Sequence, residues 1–117
     1  MNKSIKIIFL IIINFTLLFS YSAKASEKIK IGLLVPLTGA NKELGQSIIK
    51  AIRLAIKDID SNLIEVIPKD TASKASKTLS SAIELKEMGA KVVIGPVFYK
   101  SLTYLNEIND LTFLSLT

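Results

Sequence analysis

An α/β fold on a parallel sheet is predicted by three features of the sequence. Short apolar runs end at proline or glycine, amphipathic stretches of helical period separate them, and the two kinds of segment alternate strictly along the chain. The 117 residues suffice for one small domain and exclude a second.

Residues 30–35 (Lys30-Ile31-Gly32-Leu33-Leu34-Val35) form a nearly continuous apolar run closed by Pro36. Such a run marks a central strand buried on both faces. From Asn41 onward the period changes, and Leu44, Ile48, Ala51, Ile52, Ala55 and Ile59 recur at three- and four-residue spacing. Lys50, Arg53, Lys57 and Asp60 fall opposite, so this segment is read as an amphipathic helix with Asn41 as its N-cap. Asp60, Ser61 and Asn62 stop it. A shorter strand is expected over 65–68, with Pro68 at its end, where a missing ladder donor does least harm. Residues 70–74 read as a polar turn. A second helix over about 75–88 places Leu79, Ala82 and Ile83 inward and ends at Gly89 as a left-handed cap. A third strand over 91–95 is closed by Gly95-Pro96, a third helix is expected over about 100–108, and a fourth strand begins at Leu111. With right-handed crossovers in opposite directions, the expected strand order is 2-1-3-4.

The N-terminal segment stands apart. A basic stretch containing Lys3 and Lys6 precedes an apolar run over 7–19, followed by a polar stretch that ends Ala23-Lys24-Ala25. Small side chains at Ala23 and Ala25 fit the pockets of a signal peptidase, so residues 1–25 are read as a cleavable signal peptide, only transiently in the membrane. The run is shorter than the roughly 20 apolar residues of a bilayer span and is interrupted by Asn14 and Thr16. The export reading places the protein in the periplasm.

Charge must be divided at the same point. The whole chain carries +5, but Lys3, Lys6 and Lys24 precede the cleavage point and every acid follows it. That leaves 12 basic against 10 acidic side chains, a balance of +2. The remaining lysines alternate with acids along predicted helices, which is the pattern of a solvated face and not of a nucleic-acid partner. The sequence has no cysteine and no histidine, which removes disulfides, thiolate metal sites and the commonest general base. No cofactor, metal site or catalytic residue is expected.

Ligands of open parallel sheets bind beyond the carboxyl ends of the strands, where strand order reverses. That point lies between the first and third strands, so the loop 36–41 and the loop 95–99 face one crevice, each leading into a helix N-terminus suited to an anionic group. Thr38 offers a hydroxyl, Gly39 permits close backbone approach, and Phe98 and Tyr99 supply an aromatic wall. These groups bind; they do not catalyse. The glycines at 39 and 45 make no dinucleotide fingerprint, and no P-loop pair follows them. Asp58 and Asp60 fall on different faces of a helix end. Ser101, Ser115 and Thr117 have no histidine to activate them.

The stretch from Ile29 through Pro36-Leu37-Thr38-Gly39, then Leu44-Gly45, the helix closing on Ala55-Ile56-Lys57-Asp58-Ile59, and Val92-Val93-Ile94-Gly95-Pro96-Val97 together resemble the opening of type I periplasmic binding proteins of the leucine/isoleucine/valine-binding group. The resemblance implies a Rossmann-like lobe of a hinged, two-lobed protein that closes on an amino acid or similar small polar molecule and presents it to an ABC permease. Residues 26–117 would form the N-terminal part of the first lobe, an incomplete sheet whose uncovered fourth strand leaves the fragment marginally stable on its own. In that group a hydroxyl residue just after the Gly-Pro loop helps hold the ligand; the matching place is Tyr99, with Ser101 nearby. The same residues are also similar to the binding-protein-like domain of penicillin-binding protein activators, which implies contact with a cell-wall synthase instead; the missing cysteine counts against a lipoprotein of that kind.

If the export signal is read correctly, N-terminal sequencing of the exported protein will begin at Ser26. An intact Met1 in the mature product would refute it.

Overall fold

A strand that is apolar on both faces must find a hydrogen-bonded neighbour on each edge and a cover on each side. The computed structural model, which describes residues 2–18 and 26–117, meets both demands for the first strand. After helix α1 (Lys3–Leu18), the chain runs β1 (Ile29–Val35), α2 (Lys42–Ile59), β2 (Ile64–Asp70), α3 (Ala75–Glu87), β3 (Val92–Ile94) and α4 (Tyr99–Leu102). A 3-10 turn (Thr103–Leu105) and β4 (Thr112–Leu114) follow. The sheet is parallel throughout, in the order β2-β1-β3-β4. This is the architecture predicted from sequence, an α/β lobe with an open sheet.

Register fixes the two faces. Gly32 pairs with Val93 and Leu33 with Ile94, so Leu34 and Val93 point to one side and Leu33 and Val35 to the other. On the first side, α3 brings Ala82 and Leu85 against Leu34, Val93, Ala90 and Leu105, all essentially buried. Leu85 occupies the space that a side chain at Gly32 would take. Full burial of one leucine stabilises by about 2 kcal/mol, so this cluster holds α3 to the sheet. On the second side, Ile49, Ile52 and Ile56 of α2 face Leu33, Val66 and Pro68 across a cavity of about 190 Å³.

Both helices are rotated by about one residue from the faces that periodicity suggested. In α2 the buried residue is Gly45, while Leu44 and Ile59 are 43% and 59% exposed. A Cβ at position 45 would overlap the Pro36 carbonyl, so the helix approaches the end of β1 through glycine and its larger neighbours swing outward. In α3 the buried face is Thr78, Ser81, Ala82 and Leu85, and Ile83 is exposed. Close approach selects the small residues of an apolar stripe.

Other boundaries also moved. β2 is three residues longer than expected and contains Pro68 in its interior, which is tolerated because β2 is an edge strand. The third helix is only one turn of α4 plus a 3-10 turn, against an expected span of 100–108. Asn41 precedes α2 but makes no capping bond; its amide donates instead to Ser73. The C-terminus of α3 matches expectation. Gly89 has φ +89, its N–H donates to Lys86 and that of Ala90 to Leu85, the bond pair of a Schellman motif.

The N-terminal apolar run forms α1, with Ile7, Phe9 and Leu10 more than half exposed. No helix among the described residues is long and apolar enough to cross a membrane. Ala23 and Ala25 lie outside the described residues.

Gly45→Ala forces α2 off the strand end. It is expected to lower the unfolding free energy by about 2–3 kcal/mol in urea titrations followed by circular dichroism, whereas Ala51→Ser on the exposed face should change it by less than about 0.5 kcal/mol.

Candidate functional site

Parallel strands deliver their following loops to one end of the sheet. β1 and β3 are neighbours although α2, β2 and α3 intervene in sequence, so the reversal of strand order falls between them. The loops after Val35 and Ile94 therefore start side by side. The loop after β2 opens at the same end, because Asp70 pairs in register with Val35.

These loops enclose a cavity of about 510 Å³ lined by Asn41, Ser73, Ala75, Phe98, Tyr99, Lys100 and Ser101. Its lining is mixed: Asn41 and Ser73 carry an amide and a hydroxyl, Phe98 and Tyr99 aromatic rings, and the exposed Lys100 an ammonium group. Ala75 starts α3, whose first-turn N–H groups add to the positive character of this end. Among the described residues no cluster of acidic or other metal-ligating side chains exists that could hold an ion. Binding of a small molecule is what such a wall can do chemically.

The residues singled out from sequence fall in different places. Phe98 and Tyr99 line the cavity, and Tyr99 is 69% exposed, leaving its ring and phenol free to meet a solute. Ser101 reaches the same wall but is buried, its hydroxyl hydrogen-bonded to that of Thr78 at 3.3 Å. Thr38 and Gly39 do not line the cavity. Gly39 sits in an exposed bend at φ +81, where an added Cβ would meet nothing within 4 Å, so the left-handed backbone is what calls for glycine there. The Thr38 hydroxyl is engaged: it donates to Asp70 Oδ2 at 2.7 Å.

Asp70, read from sequence as part of a polar turn, is the most connected side chain of this region. Its Oδ1 accepts from the backbone N–H groups of Leu37 (2.8 Å), Ala72 (2.8 Å) and Thr38 (3.3 Å). Partial burial pushes the carboxyl pKa up, but the bonds from the Thr38 hydroxyl and from the amides of Leu37, Ala72 and Thr38 outweigh it. The result is a value lowered from 3.8 to about 2. The segment beyond it is strained: Ala72 and Ser73 take φ of 46° and 57°, a left-handed region that residues with a Cβ rarely adopt. One signal in the sequence pointed here. An aspartate two residues before a turn amide is the pattern of an Asx-turn, the Asp70 to Ala72 bond. Ser73 is not among the candidates read from sequence because nothing local places the loop after β2 at the crevice; Asn41 closes a loop that is placed there, but it reads as a helix N-cap.

The periplasmic binding protein family matches residues 28–115. No curated protein sequence matches the chain. Among solved structures, the chain is similar to the leucine-binding protein LivK of Thermotoga maritima MSB8, with 19% identity and a TM-score of 0.67 over 74% of this chain and 27% of that one. It is similar to a solute-binding protein of an ABC transporter from Rhodopseudomonas palustris BisB5, solved in complex with 3,4-dihydroxy benzoic acid. Identity there is 34% and the TM-score 0.62, over 67% of this chain and 23% of that one. It is also similar to the C-domain of LpoA from Haemophilus influenzae, a regulator of PBP1A, with 26% identity and a TM-score of 0.58 over 74% and 27%. The chain spans about a quarter of the length of these proteins.

The Asp70 pKa is depressed in the folded state, so its stabilising contribution is complete above the unfolded value of 3.8 and is lost as pH falls through about 2. Urea midpoints of wild type and Asp70→Asn should therefore differ by a constant amount above about pH 5 and converge as pH falls from 3.8 toward 2. A gap independent of pH down to 2 would contradict this.

Proposed function

Because this chain belongs to the periplasmic binding protein family, we propose that it supplies part of the first lobe of an exported receptor that captures a small polar solute for an ABC transporter. One observation carries the proposal. At the reversal of strand order, loops from β1, β2 and β3 converge on a cavity lined by Asn41, Ser73, Phe98, Tyr99 and the exposed Lys100. An aromatic wall, neutral hydrogen-bonding groups and one cation suit a solute with an apolar body and an anionic head. An aromatic carboxylate such as the one held by the Rhodopseudomonas palustris protein has that character; an amino acid shares the carboxylate but adds an α-ammonium group, which the neutral acceptors of the wall would have to meet. The proposed direct contacts are Phe98 and Tyr99 through their rings. Ser101 lines the same wall, and Thr38 and Gly39 shape the β1 loop that leads to it. The role is binding without chemistry, and residues 1–25 would act as the export signal that delivers the protein to the periplasm.

A second reading is favoured by the likeness to LpoA. On that reading the chain belongs to a regulator of cell-wall synthesis, and its partner is a synthase in place of a solute. The two differ in the crevice. A receptor must desolvate a ligand there, whereas a regulator of this kind can work through its outer surface.

The test is a thermal-shift panel on the protein with amino acids and aromatic carboxylates. A stabilising ligand is expected, and Phe98→Ala should weaken its binding about tenfold. No shift with any compound, together with binding to a cell-wall synthase, would replace the receptor with the regulator.

A further inference from the structure

The polar wall of the cavity comes from two loops that are not neighbours in sequence. Asn41 closes the loop after β1 and Ser73 belongs to the loop after β2, and they meet through a hydrogen bond of 3.1 Å from the Asn41 amide to the Ser73 hydroxyl. Neither loop is held in place by the sheet ladder alone. The β1 loop leaves the sheet at Pro36, and the β2 loop carries two consecutive left-handed residues, Ala72 and Ser73, whose conformation costs free energy and persists only where the surroundings offset it.

Asp70 bonds to both. From the last position of β2, one carboxylate oxygen takes the N–H groups of Leu37 and Thr38 in the first loop and of Ala72 in the second. The other takes the Thr38 hydroxyl. The residue is itself anchored on both sides. It pairs with Val35 across the sheet, and its carbonyl accepts from the Ser81 hydroxyl of α3 at 2.9 Å. Thr71 continues the tie by donating its N–H to the Val35 carbonyl at 3.0 Å.

We infer that Asp70 is the positioning residue of the crevice: a carboxylate latch that sets the spacing of Asn41 and Ser73 by fixing both loops at once, with the Thr38 hydroxyl serving this latch and not the solute. The inference rests on the solute-binding reading for its functional meaning, but the latch is a property of the fold and can be observed without a ligand. A carboxylate is required because four donors converge on it; an uncharged side chain offers fewer acceptor sites and weaker bonds. The hydroxyl of a threonine has one hydrogen, and here it points to Asp70.

The test follows backbone amide exchange by NMR in the full chain of wild type, Asp70→Asn, Asp70→Ala and Thr38→Val, with calorimetric titration of L-leucine and 3,4-dihydroxybenzoic acid as probes. In Asp70→Ala the amides of Leu37, Thr38 and Ala72 should exchange at least about tenfold faster, while those of Leu34 and Val93 keep their protection and report an intact core. Asp70→Asn keeps one carbonyl acceptor and should fall between; it carries the test if the alanine variant loses its core. A probe that binds wild type should bind Asp70→Ala about tenfold more weakly, and Thr38→Val should lose less than that. Unchanged exchange at Leu37 and Thr38 in both Asp70 variants would overturn the latch. So would a Thr38→Val loss larger than that of Asp70→Ala, since it would put the hydroxyl on the solute. A wild type that binds neither probe counts against the receptor reading alone, and the exchange data still decide the latch.

Discussion

The parallel pairing of β1 with β2 on one edge and β3 on the other governs this structure. A parallel pair cannot be joined by a tight turn, so each partner arrives through a helical crossover, and two crossovers in opposite directions leave β1 at the point where strand order reverses. Loops at that point diverge to opposite faces of the sheet and leave a gap between them. The cavity walled by Asn41, Ser73, Phe98 and Tyr99 is therefore a consequence of topology before it is a consequence of any side chain.

Topology opens the gap, and local chemistry shapes it. The loop after β2 holds Ala72 and Ser73 in left-handed backbone, and the bonds to Asp70 and Thr71 compensate for that cost. Buried hydroxyls behind the wall are paired: Thr78 donates to the Lys74 carbonyl and shares a hydrogen bond with the Ser101 hydroxyl, and Ser81 donates to the Asp70 carbonyl. Among the described residues no buried side-chain polar atom is left without a partner. The support of the crevice is thus polar and satisfied, while the support of the sheet is apolar and centred on Leu34, Leu85 and Val93. A polar backing of this kind fixes geometry more narrowly than an apolar one, because each bond specifies a distance and a direction.

The sequence was most legible where one physical demand dominates. The run through Leu33, Leu34 and Val35 had to be buried on both faces, and Gly89 had to end a helix in left-handed backbone; both are so. It was less legible where two demands compete. In α2, hydrophobic periodicity favours burying Leu44 and Ile59, yet the approach to Pro36 admits only Gly45, and approach prevails. In the segment after Gly95-Pro96, apolar residues suggested a helix to Ile108, but the chain tightens into a 3-10 turn after Leu102, so that Leu105 and Ile108 reach the core from a short segment. Of the candidate site, Phe98 and Tyr99 could be placed because they end the short loop that follows β3. Thr38 looked equally placed, and only its partner across the sheet end reveals that its hydroxyl hydrogen goes to Asp70.

Sequence by itself determined the order of strands and helices, the parallel sheet and the central place of β1. These follow from the period, length and polarity of local segments, which are properties of neighbouring residues. Tertiary structure alone decided which side of each apolar stripe meets the sheet, and that the loop after β2 joins the crevice. It also decided that Asp70 binds residues more than thirty positions away. Those outcomes depend on distances between segments that only pairing in register brings together, and a carboxylate in a turn carries no mark of the amides it will meet.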